Sequence, residues 1–236
     1  MMASGWMIDR PVPFAEGFRI QSILHERRLH DEIPDTVLFL EHTPVVTLGT
    51  RGRDEALLSD RENLTARGID FEVATRGGDA TYHAPGQLVM YPIVKLGQKG
   101  VDSGDYLQNL EEVAIRTCAS FGVPAVRRDG MNGAWTHAGK IAAIGFRLKR
   151  WVSYHGMSFN VSGDLAGFKA IVPCGLVGER VCTLESHLGP GTPSLPEVRE
   201  AMAGHFEDVC GRPLLRYDAE DKLPEAIDEL IRIPKR

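Results

Sequence analysis

The sequence predicts one strand-rich α/β domain. Its 236 residues, 43% apolar and 25% charged, suit one large domain or two small ones with a substantial core. Segments rich in β-branched and aromatic residues, bounded by Gly and Pro, indicate strands, and two long segments carry a helical apolar stripe. Pro190, Pro193 and Pro196 mark a loop but no domain linker, so we predict a single domain over residues 1–236.

The first half of the chain predicts a helix followed by paired strands. Pro13 lies near the start of the predicted helix, its charged end Glu26-Arg27-Arg28 suits solvent, and Pro34 ends the segment. The predicted elements are a helix over Phe14–His30, strands over Thr36–Glu41 and Val45–Leu48, a loop with a short helix over Arg51–Gly68, and strands over Phe71–Thr75 and Gln87–Pro92 with a loop between them.

The second half carries the two clearest helices. Asp102–Phe121 has apolar residues at three- and four-residue spacing, and the capping-box pattern Ser194-Leu195-Pro196-Glu197 opens another helix. The remaining predictions are a strand over Ala125–Arg127, a hairpin of Lys140–Trp151 with Val152–Val161, a strand around Cys182 and a last helix over Pro224–Ile231.

Composition excludes several classes of protein. The net charge of −5 and pI near 5.9 argue against general nucleic-acid binding. The start of the chain does not resemble a signal peptide, and no apolar run is long enough to span a bilayer. We therefore expect a cytoplasmic protein without membrane association, and we expect a monomer. The four cysteines form no C-x-x-C pair, which argues against a structural zinc site.

The loop Arg76-Gly77-Gly78-Asp79-Ala80-Thr81-Tyr82-His83 is a candidate ligand loop. Adjacent glycines allow close backbone approach to a ligand, and a histidine can donate, accept or carry a proton near neutral pH. The alternative is a solvent-exposed connection with a surface Arg and His. The density of polar and Gly residues between two strands favours a ligand site.

Cys174 and Lys140 are candidates for chemistry. Cys174 follows Pro173 at the end of a strand-like run, where substrate could reach a thiol, and Lys140 opens an otherwise apolar strand. An ammonium beside a thiol favours the thiolate. The residues alone leave open an inert Cys174, three rival activators (His83, His137 and His155) and Cys182 as a rival thiol, although Cys182 is better read as a core residue.

Other chemistries lack a signature in this sequence. It contains no His-Glu-x-x-His metal motif, no Gly-x-x-x-x-Gly-Lys-Ser/Thr phosphate loop and no Gly-x-Ser-x-Gly elbow. We therefore expect neither a metal nor a cofactor.

Four motifs together resemble the octanoyl-[acyl carrier protein]:protein octanoyltransferases of lipoate biosynthesis. They are Arg76 to His83 with Pro85-Gly86-Gln87-Leu88-Val89, then Gly139-Lys140-Ile141-Ala142-Ala143-Ile144-Gly145, then His155-Gly156-Met157-Ser158-Phe159-Asn160-Val161, and finally Val172-Pro173-Cys174-Gly175. Their order and spacing match the family over roughly Thr36 to Leu184. Two departures are Ala84, where glycine is usual, and Cys182-Thr183, where Thr-Ser is more typical.

The resemblance implies a fold and a set of roles. The fold is that of biotin and lipoate protein ligase catalytic domains: α/β, with a mixed, largely antiparallel sheet flanked by helices. Cys174 would hold the acyl group as a thioester, and Lys140 would lower the pKa of Cys174 and move protons. The implied substrate-binding residues are Arg76, Gly77, Gly78, Asp79, Ala80, Thr81, Tyr82, His83, Ala143, Ile144, Gly145, Gly156, Met157 and Ser158.

The resemblance also implies partners. Octanoyl-acyl carrier protein is the expected donor, and lipoyl domains of 2-oxoacid dehydrogenases and the glycine-cleavage H protein are the expected acceptors. Five nearby cations could form a rim that steers acidic partners or an ordinary solvated face: Arg147, Lys149, Arg150, Lys169 and Arg180. The alternative functions are an ATP-dependent lipoate-protein ligase and a non-catalytic acyl-carrier-binding module.

Overall fold

The computed structural model describes residues 2–53, 56–97, 100–171 and 179–218. Cys174 and the helix predicted over Pro224–Ile231 lie outside these ranges. Within them, no helix is both long and apolar enough to cross a membrane.

A large mixed sheet forms the centre of the described structure. Its eight strands lie in the order β11-β1-β2-β6-β10-β9-β8-β7. The pairs of β1 with β2 and with β11 are parallel, and the remaining five pairs are antiparallel. The strands are β1 Ala3–Val12, β2 Thr36–His42, β6 Gln87–Ile93, β7 Val126–Arg128, β8 Met131–Thr136, β9 Gly139–Lys149, β10 Val152–Asn160 and β11 Leu214–Asp218.

Helices cover both faces of this sheet. Helix α1, Phe14–Leu29, buries Ile20 and Leu24 against one face. Helices α3, Ser103–Ser120, and α5, Leu195–Cys210, bury their apolar stripes against the other face. A short helix α4 covers Glu185–Leu188. This arrangement confirms the expected α/β fold with a mixed, largely antiparallel sheet.

The two clearest predicted helices start where their caps indicate. The Asp102 side chain accepts hydrogen bonds from the Gly104 and Asp105 amides at the start of α3. Ser194 and Glu197 form the reciprocal capping box of α5, and Gly211 ends that helix in the left-handed conformation. Such caps satisfy backbone donors and acceptors that the helix itself leaves unpaired.

A second, three-stranded sheet stands beside the first. It contains β3 Val45–Leu48, β4 Asp70–Val73 and β5 Ala80–His83 in the order β4-β3-β5. Helix α2, Arg61–Ala66, and a 3₁₀ helix over Leu165–Ala170 contribute to its core. The 3₁₀ helix ends immediately before Ile171, the last described residue ahead of Cys174.

Three local expectations were wrong or incomplete. Residues Ala80–His83, predicted as loop, form strand β5, which is antiparallel to β3. The strand expected around Cys182 is only a single bridge between Val181 and Lys140. Strands β1, β8 and β11 were not predicted, and β1 and β11 pair with each other in parallel at one edge of the sheet.

Candidate active site

An open cleft separates the loop of residues 76–79 from the middle of strands β9 and β10. The Gly77 amide donates a hydrogen bond to the Phe146 carbonyl, 3.0 Å away, which holds the loop across β9. The cleft is open to solvent. It is lined by Arg76, Gly77, Gly78, Asp79, Thr81, His83, Tyr91, Ala143, Ile144, Gly145, His155, Gly156, Met157 and Ser158. Twelve of these fourteen are substrate-binding residues that the family resemblance implies, Tyr91 and His155 being the exceptions.

Glycine at position 145 allows the loop to approach β9 this closely. A Cβ atom added to Gly145 would lie 2.7 Å from the Gly77 carbonyl oxygen, too close for any ordinary contact. Gly145 also pairs with Gly156 across β9 and β10, where a Cβ on Gly156 would lie 2.4 Å from the Met90 carbonyl oxygen. The backbone of the cleft floor is therefore bare of side chains at this point.

Arg76 ties the loop to the small sheet. Its guanidinium is buried and donates to the Thr47 hydroxyl and to the Thr47 carbonyl, the latter at 2.6 Å. A further hydrogen bond runs from its Nη1 to the Gly77 carbonyl. A framework role for Arg76 is therefore visible in the contacts, in addition to its place in the cleft wall.

Strand β5 sends alternate side chains to opposite sides, as a strand requires. Thr81 and His83 line the cleft, whereas Ala80 and Tyr82 belong to the core of the small sheet. The Tyr82 ring lies directly on Gly167 of the 3₁₀ helix and meets Phe168 edge-on, with 5.5 Å between ring centroids. Tyr82 thus supports the helix that leads toward Cys174.

Lys140 lies in a small pocket that adjoins the cleft. It is 6% exposed, and its Nζ lies 4.8 Å from the centre of the Trp135 ring. Its pocket shares Thr81, Ala143 and Ser158 with the cleft and adds Asn160, Phe168 and Val181. A buried lysine next to a cleft is a common arrangement in catalytic sites.

The chain on both sides of residues 172–178 lies close to Lys140. On the downstream side, the Lys140 amide donates to the Arg180 carbonyl at 2.8 Å, and the Cys182 amide donates to the Lys140 carbonyl at 3.0 Å. On the upstream side, Phe168 lines the Lys140 pocket and Ile171 pairs with Leu57. Residues on both sides of 172–178 therefore meet the same lysine.

Three buried histidines lie close together at the cleft: His83 and His155 line it, and His42 packs against the His83 ring. Burial lowers the pKa of His42 to about 4. Burial, followed by the nearby Arg76 guanidinium, lowers the pKa of His155 to about 3. Burial and the neighbouring His42 lower the pKa of His83 well below its usual value. All three rings are therefore uncharged at neutral pH.

The hydrogen bonds of His42 fix how it meets the cleft. Its Nδ1 donates to the Val12 carbonyl at 2.7 Å, because a carbonyl can only accept. In the neutral ring Nε2 then accepts from the Tyr91 hydroxyl, also at 2.7 Å. Tyr91 lines the cleft, and burial raises its pKa, so its hydroxyl keeps its proton.

The other candidates from the sequence lie away from the cleft. His137 is exposed and contacts the His187 ring, with 4.9 Å between centroids. Cys182 is buried, its Sγ lies 3.3 Å from the Thr136 hydroxyl, and burial raises its pKa. The extra methyl of Ala84 lies in the core of the small sheet. These contacts suit structural roles.

The sequence analysis missed several cleft and pocket residues: Tyr91, Asn160, Phe168 and Val181. Asn160 had a usable signal, because an amide in an otherwise apolar strand is costly to bury without partners. Tyr91 had no comparable signal, since an aromatic residue in a strand is ordinary core.

Relatives of known name cover most of this chain. Residues 13–207 match the family model of the lipoyl protein ligase A/B catalytic domain. An octanoyltransferase of Geobacter metallireducens is 46% identical over 191 residues, which are 81% of this chain and 86% of the relative. An octanoyltransferase of Syntrophotalea carbinolica is 42% identical over 198 residues, covering 84% of this chain and 90% of the relative.

Solved structures share the fold at low sequence identity. The bipartite lipoate protein ligase of Thermoplasma acidophilum superposes with a TM-score of 0.73 at 17% identity, covering 98% of this chain and 93% of that chain. A lipoate-protein ligase A bound with ATP also gives a TM-score of 0.73 at 17% identity, with coverage of 98% and 95%. At this identity the likeness concerns the fold alone.

Proposed function

This chain belongs to the octanoyltransferase family, which has the lipoyl protein ligase A/B catalytic domain, and we propose that it transfers octanoyl from acyl carrier protein to a protein lysine through a thioester on Cys174. The chain is an acyltransferase for lipoyl or octanoyl groups in protein lipoylation. The donor, the covalent intermediate, the acceptors and the site residues are our proposal. The acceptors are lipoyl domains of 2-oxoacid dehydrogenases and the glycine-cleavage H protein.

The position of Lys140 is the observation that carries the proposal. It is a buried lysine at the start of β9, in a pocket that adjoins the open cleft beside the Gly-rich loop. The chain segments on either side of Cys174 meet the same lysine. A thiol near this ammonium would ionise more readily and become a nucleophile.

The proposed reaction has two steps. Lys140 takes the proton of the Cys174 thiol, and the resulting thiolate attacks the thioester carbonyl of the donor. A new C–S bond to Cys174 forms, the C–S bond to the carrier breaks, and the carrier leaves as its thiol with the proton that Lys140 held. A lysine amine of the acceptor then attacks the Cys174 thioester, forming a C–N bond as the C–S bond breaks. Lys140 takes the amine proton and returns a proton to the leaving sulfur. Thioester exchange is nearly balanced, and amide formation is strongly downhill, so no ATP is required.

The cleft suits an acyl chain. Its wall includes Ala143, Ile144 and Met157, the bare backbone at Gly145 and Gly156, and the uncharged ring of His155. An apolar chain gains free energy by leaving water, about 0.8 kcal/mol for each methylene group buried. We propose that the acyl carbonyl lies toward Lys140 and the chain extends beneath residues 77–79.

Residues 1–236 act as one catalytic domain in the cytoplasm, and the protein works as a monomer.

A transfer assay without ATP tests this proposal. Octanoyl-acyl carrier protein and a lipoyl domain are incubated with the wild type, with Cys174→Ser and with Lys140→Met, and octanoyl-lysine is measured by mass spectrometry. We expect the wild type to transfer without ATP and each variant to lose at least about 100-fold in rate, in keeping with the loss of a nucleophile or of an acid–base group. Methionine keeps an unbranched chain beside Trp135, so folding should survive.

Two outcomes would contradict the proposal. A wild type that modifies the lipoyl domain only with ATP and free octanoate would be a ligase. A Cys174→Ser variant with the wild-type rate would rule out the thioester. A third outcome would support it: if Cys174→Ser binds its partners with the wild-type affinity but no longer transfers the acyl group, the protein is not a non-catalytic binding module.

A further inference from the structure

We propose that His83 offers an Nε2 lone pair to the cleft and there accepts a hydrogen bond from the attacking lysine amine, held in this role by a buried chain of hydrogen bonds. The inference rests on the proposed function and assigns the group that orients the second substrate. His83 would touch substrate, whereas Gln87 and Asn160 would be positioning residues that act through it.

The buried chain begins at a carbonyl whose role is not in doubt. The Cys182 carbonyl can only accept, so the Asn160 amide nitrogen donates to it at 3.0 Å. The Asn160 oxygen then accepts from Gln87 Nε2 at 2.8 Å. Gln87 Nε2 also donates to the Tyr82 carbonyl at 3.2 Å, which fixes the same amide orientation independently.

The last bond of the chain sets the tautomer of His83. With Gln87 Nε2 committed as donor, Gln87 Oε1 accepts, and His83 Nδ1 donates to it at 2.6 Å. In a neutral imidazole with its hydrogen on Nδ1, Nε2 carries a lone pair. Burial, His42 and Arg76 all lower the pKa of His83, although the bond to Gln87 opposes them, so the ring stays neutral. His83 therefore accepts a hydrogen bond without taking a proton.

His83 is placed to meet a group in the cleft. Its ring lines the cleft, and no residue in the described ranges makes a hydrogen bond to Nε2. Thr81, two residues earlier on the same face of β5, lines both the cleft and the Lys140 pocket. The other end of this hydrogen-bond chain, at Cys182, lies beside Lys140, because the Cys182 amide donates to the Lys140 carbonyl. One backbone framework therefore holds both groups.

The chemistry of the second step selects the amine as the partner of Nε2. The acyl chain has no donor, and the thioester oxygen and sulfur can only accept. The incoming amine carries N–H groups, and it attacks through its lone pair. An acceptor that binds one N–H turns the lone pair toward the carbonyl, and such orientation lowers the barrier. The C–N bond then forms, the C–S bond breaks, and the amine proton passes through Lys140 to the sulfur.

Separate measurement of the two steps tests the inference. Single-turnover mixing with octanoyl-acyl carrier protein gives the rate of acyl loading, and mixing of the loaded enzyme with a lipoyl domain gives the rate of transfer. For His83→Phe we expect loading within about threefold of the wild type and transfer slower by about tenfold, the loss typical of one neutral hydrogen bond. His83→Gln can place an amide oxygen near the position of Nε2 and should recover part of the transfer rate.

A matched control is His25→Phe. His25 is also buried, also has a lowered pKa and makes one backbone hydrogen bond, to Val152, but it does not line the cleft. It should leave the ratio of transfer to loading unchanged. If His83→Phe does not fold, Gln87→Met tests the inference in its place. This variant removes the acceptor that fixes the tautomer of His83, so it should slow transfer and leave acyl loading unchanged.

Two results would overturn the inference. One is transfer by His83→Phe, or by Gln87→Met if that variant decides, at the wild-type rate. The other is a loss of loading as large as the loss of transfer, which a purely structural role would produce. A wild type that never forms the acyl-enzyme is a different result, because it would contradict the proposed function itself.

Discussion

The uncharged state of the three histidines around the cleft makes the folded protein sensitive to acid. Phe18 stacks on the His155 ring with 5.5 Å between centroids, and Phe14 lies against His42, so a proton on either imidazole would sit among aromatic rings. In the unfolded chain the same histidines take up a proton near pH 6.5. The unfolded state therefore binds more protons below that pH, and the free energy of unfolding falls as the pH falls.

We expect the free energy of unfolding to fall from about pH 6.5 downward, by up to about 1.4 kcal/mol per pH unit for each such histidine. The part of the free energy of unfolding that depends on a neutral His42 is lost by about pH 4, and the part that depends on a neutral His155 is lost by about pH 3. Urea unfolding at pH 6.5, 6.0, 5.5 and 5.0 measures the slope in the range before most carboxylates titrate.

A substitution at His155 separates this effect from general acid sensitivity. Between pH 6.5 and 5, His155→Phe should lower the slope of the free energy of unfolding against pH by up to about 1.4 kcal/mol per pH unit, the value for one proton. Ile20→Val, a buried substitution on α1 that changes no titratable group, is the control and should keep the wild-type slope. An unchanged slope in His155→Phe would show that His155 is not kept neutral by the fold.

At the scale of elements, the β9–β10 hairpin carries an unbalanced positive charge. Arg147, Lys149 and Arg150 are exposed, and none forms an ion pair with a residue of the described ranges. The two residues at its tip, Arg150 and Trp151, both have positive φ, at 51° and 64°, which is unusual for non-glycine residues. Trp151 is 54% exposed. These features suit a contact with an acidic, partly apolar surface.

Reversal of Arg147 and Lys149 to Glu should lower kcat/KM for octanoyl-acyl carrier protein by about tenfold at low salt and flatten its dependence on salt. The reason is that electrostatic steering speeds encounter and is screened by ions. Activity measured between low and high ionic strength gives both values.

The double reversal of Arg61 and Arg67 to Glu is the matched control. These exposed residues lie at the two ends of α2, which packs on β4 of the small sheet, and they give the same change of charge without breaking an ion pair within the described residues. An unchanged salt dependence in the Arg147 and Lys149 variant, or an equal change in the control, would show that the hairpin cations do not steer the donor.

The elements of the site were only partly predictable. Helices α3 and α5 followed from their apolar spacing and caps, and the β9–β10 hairpin followed from its alternation. Helix α1 followed from the prolines that bound its segment. Strand β5 was hidden because Gly77, Gly78 and Asp79 precede it and Pro85 follows, a composition typical of loops. Its pairing with β3 depends on a partner some thirty residues earlier in the chain, which local pattern does not reveal.

At the scale of the whole molecule, local pattern predicted a strand-rich domain with helices, and the mixed, largely antiparallel sheet followed from the resemblance. Alternation predicts strands but not their order, and β1 and β11 join at the edge of the sheet from opposite ends of the chain. The motifs around Arg76, Lys140 and Met157 meet in one place because β5, β9 and β10 bring them there. The buried chain from Cys182 to His83 could not be read from the sequence, since its members are separated widely.

The central claim is that the acyl group rests on Cys174 between donor and acceptor. The most direct measurement is intact and peptide mass spectrometry of the protein after incubation with octanoyl-acyl carrier protein and no acceptor. We predict one octanoyl adduct on the peptide that contains Cys174, lost when a lipoyl domain is added. Transfer to the lipoyl domain with no adduct detected at any time before the acceptor is added would contradict the account and make Cys174 a structural thiol.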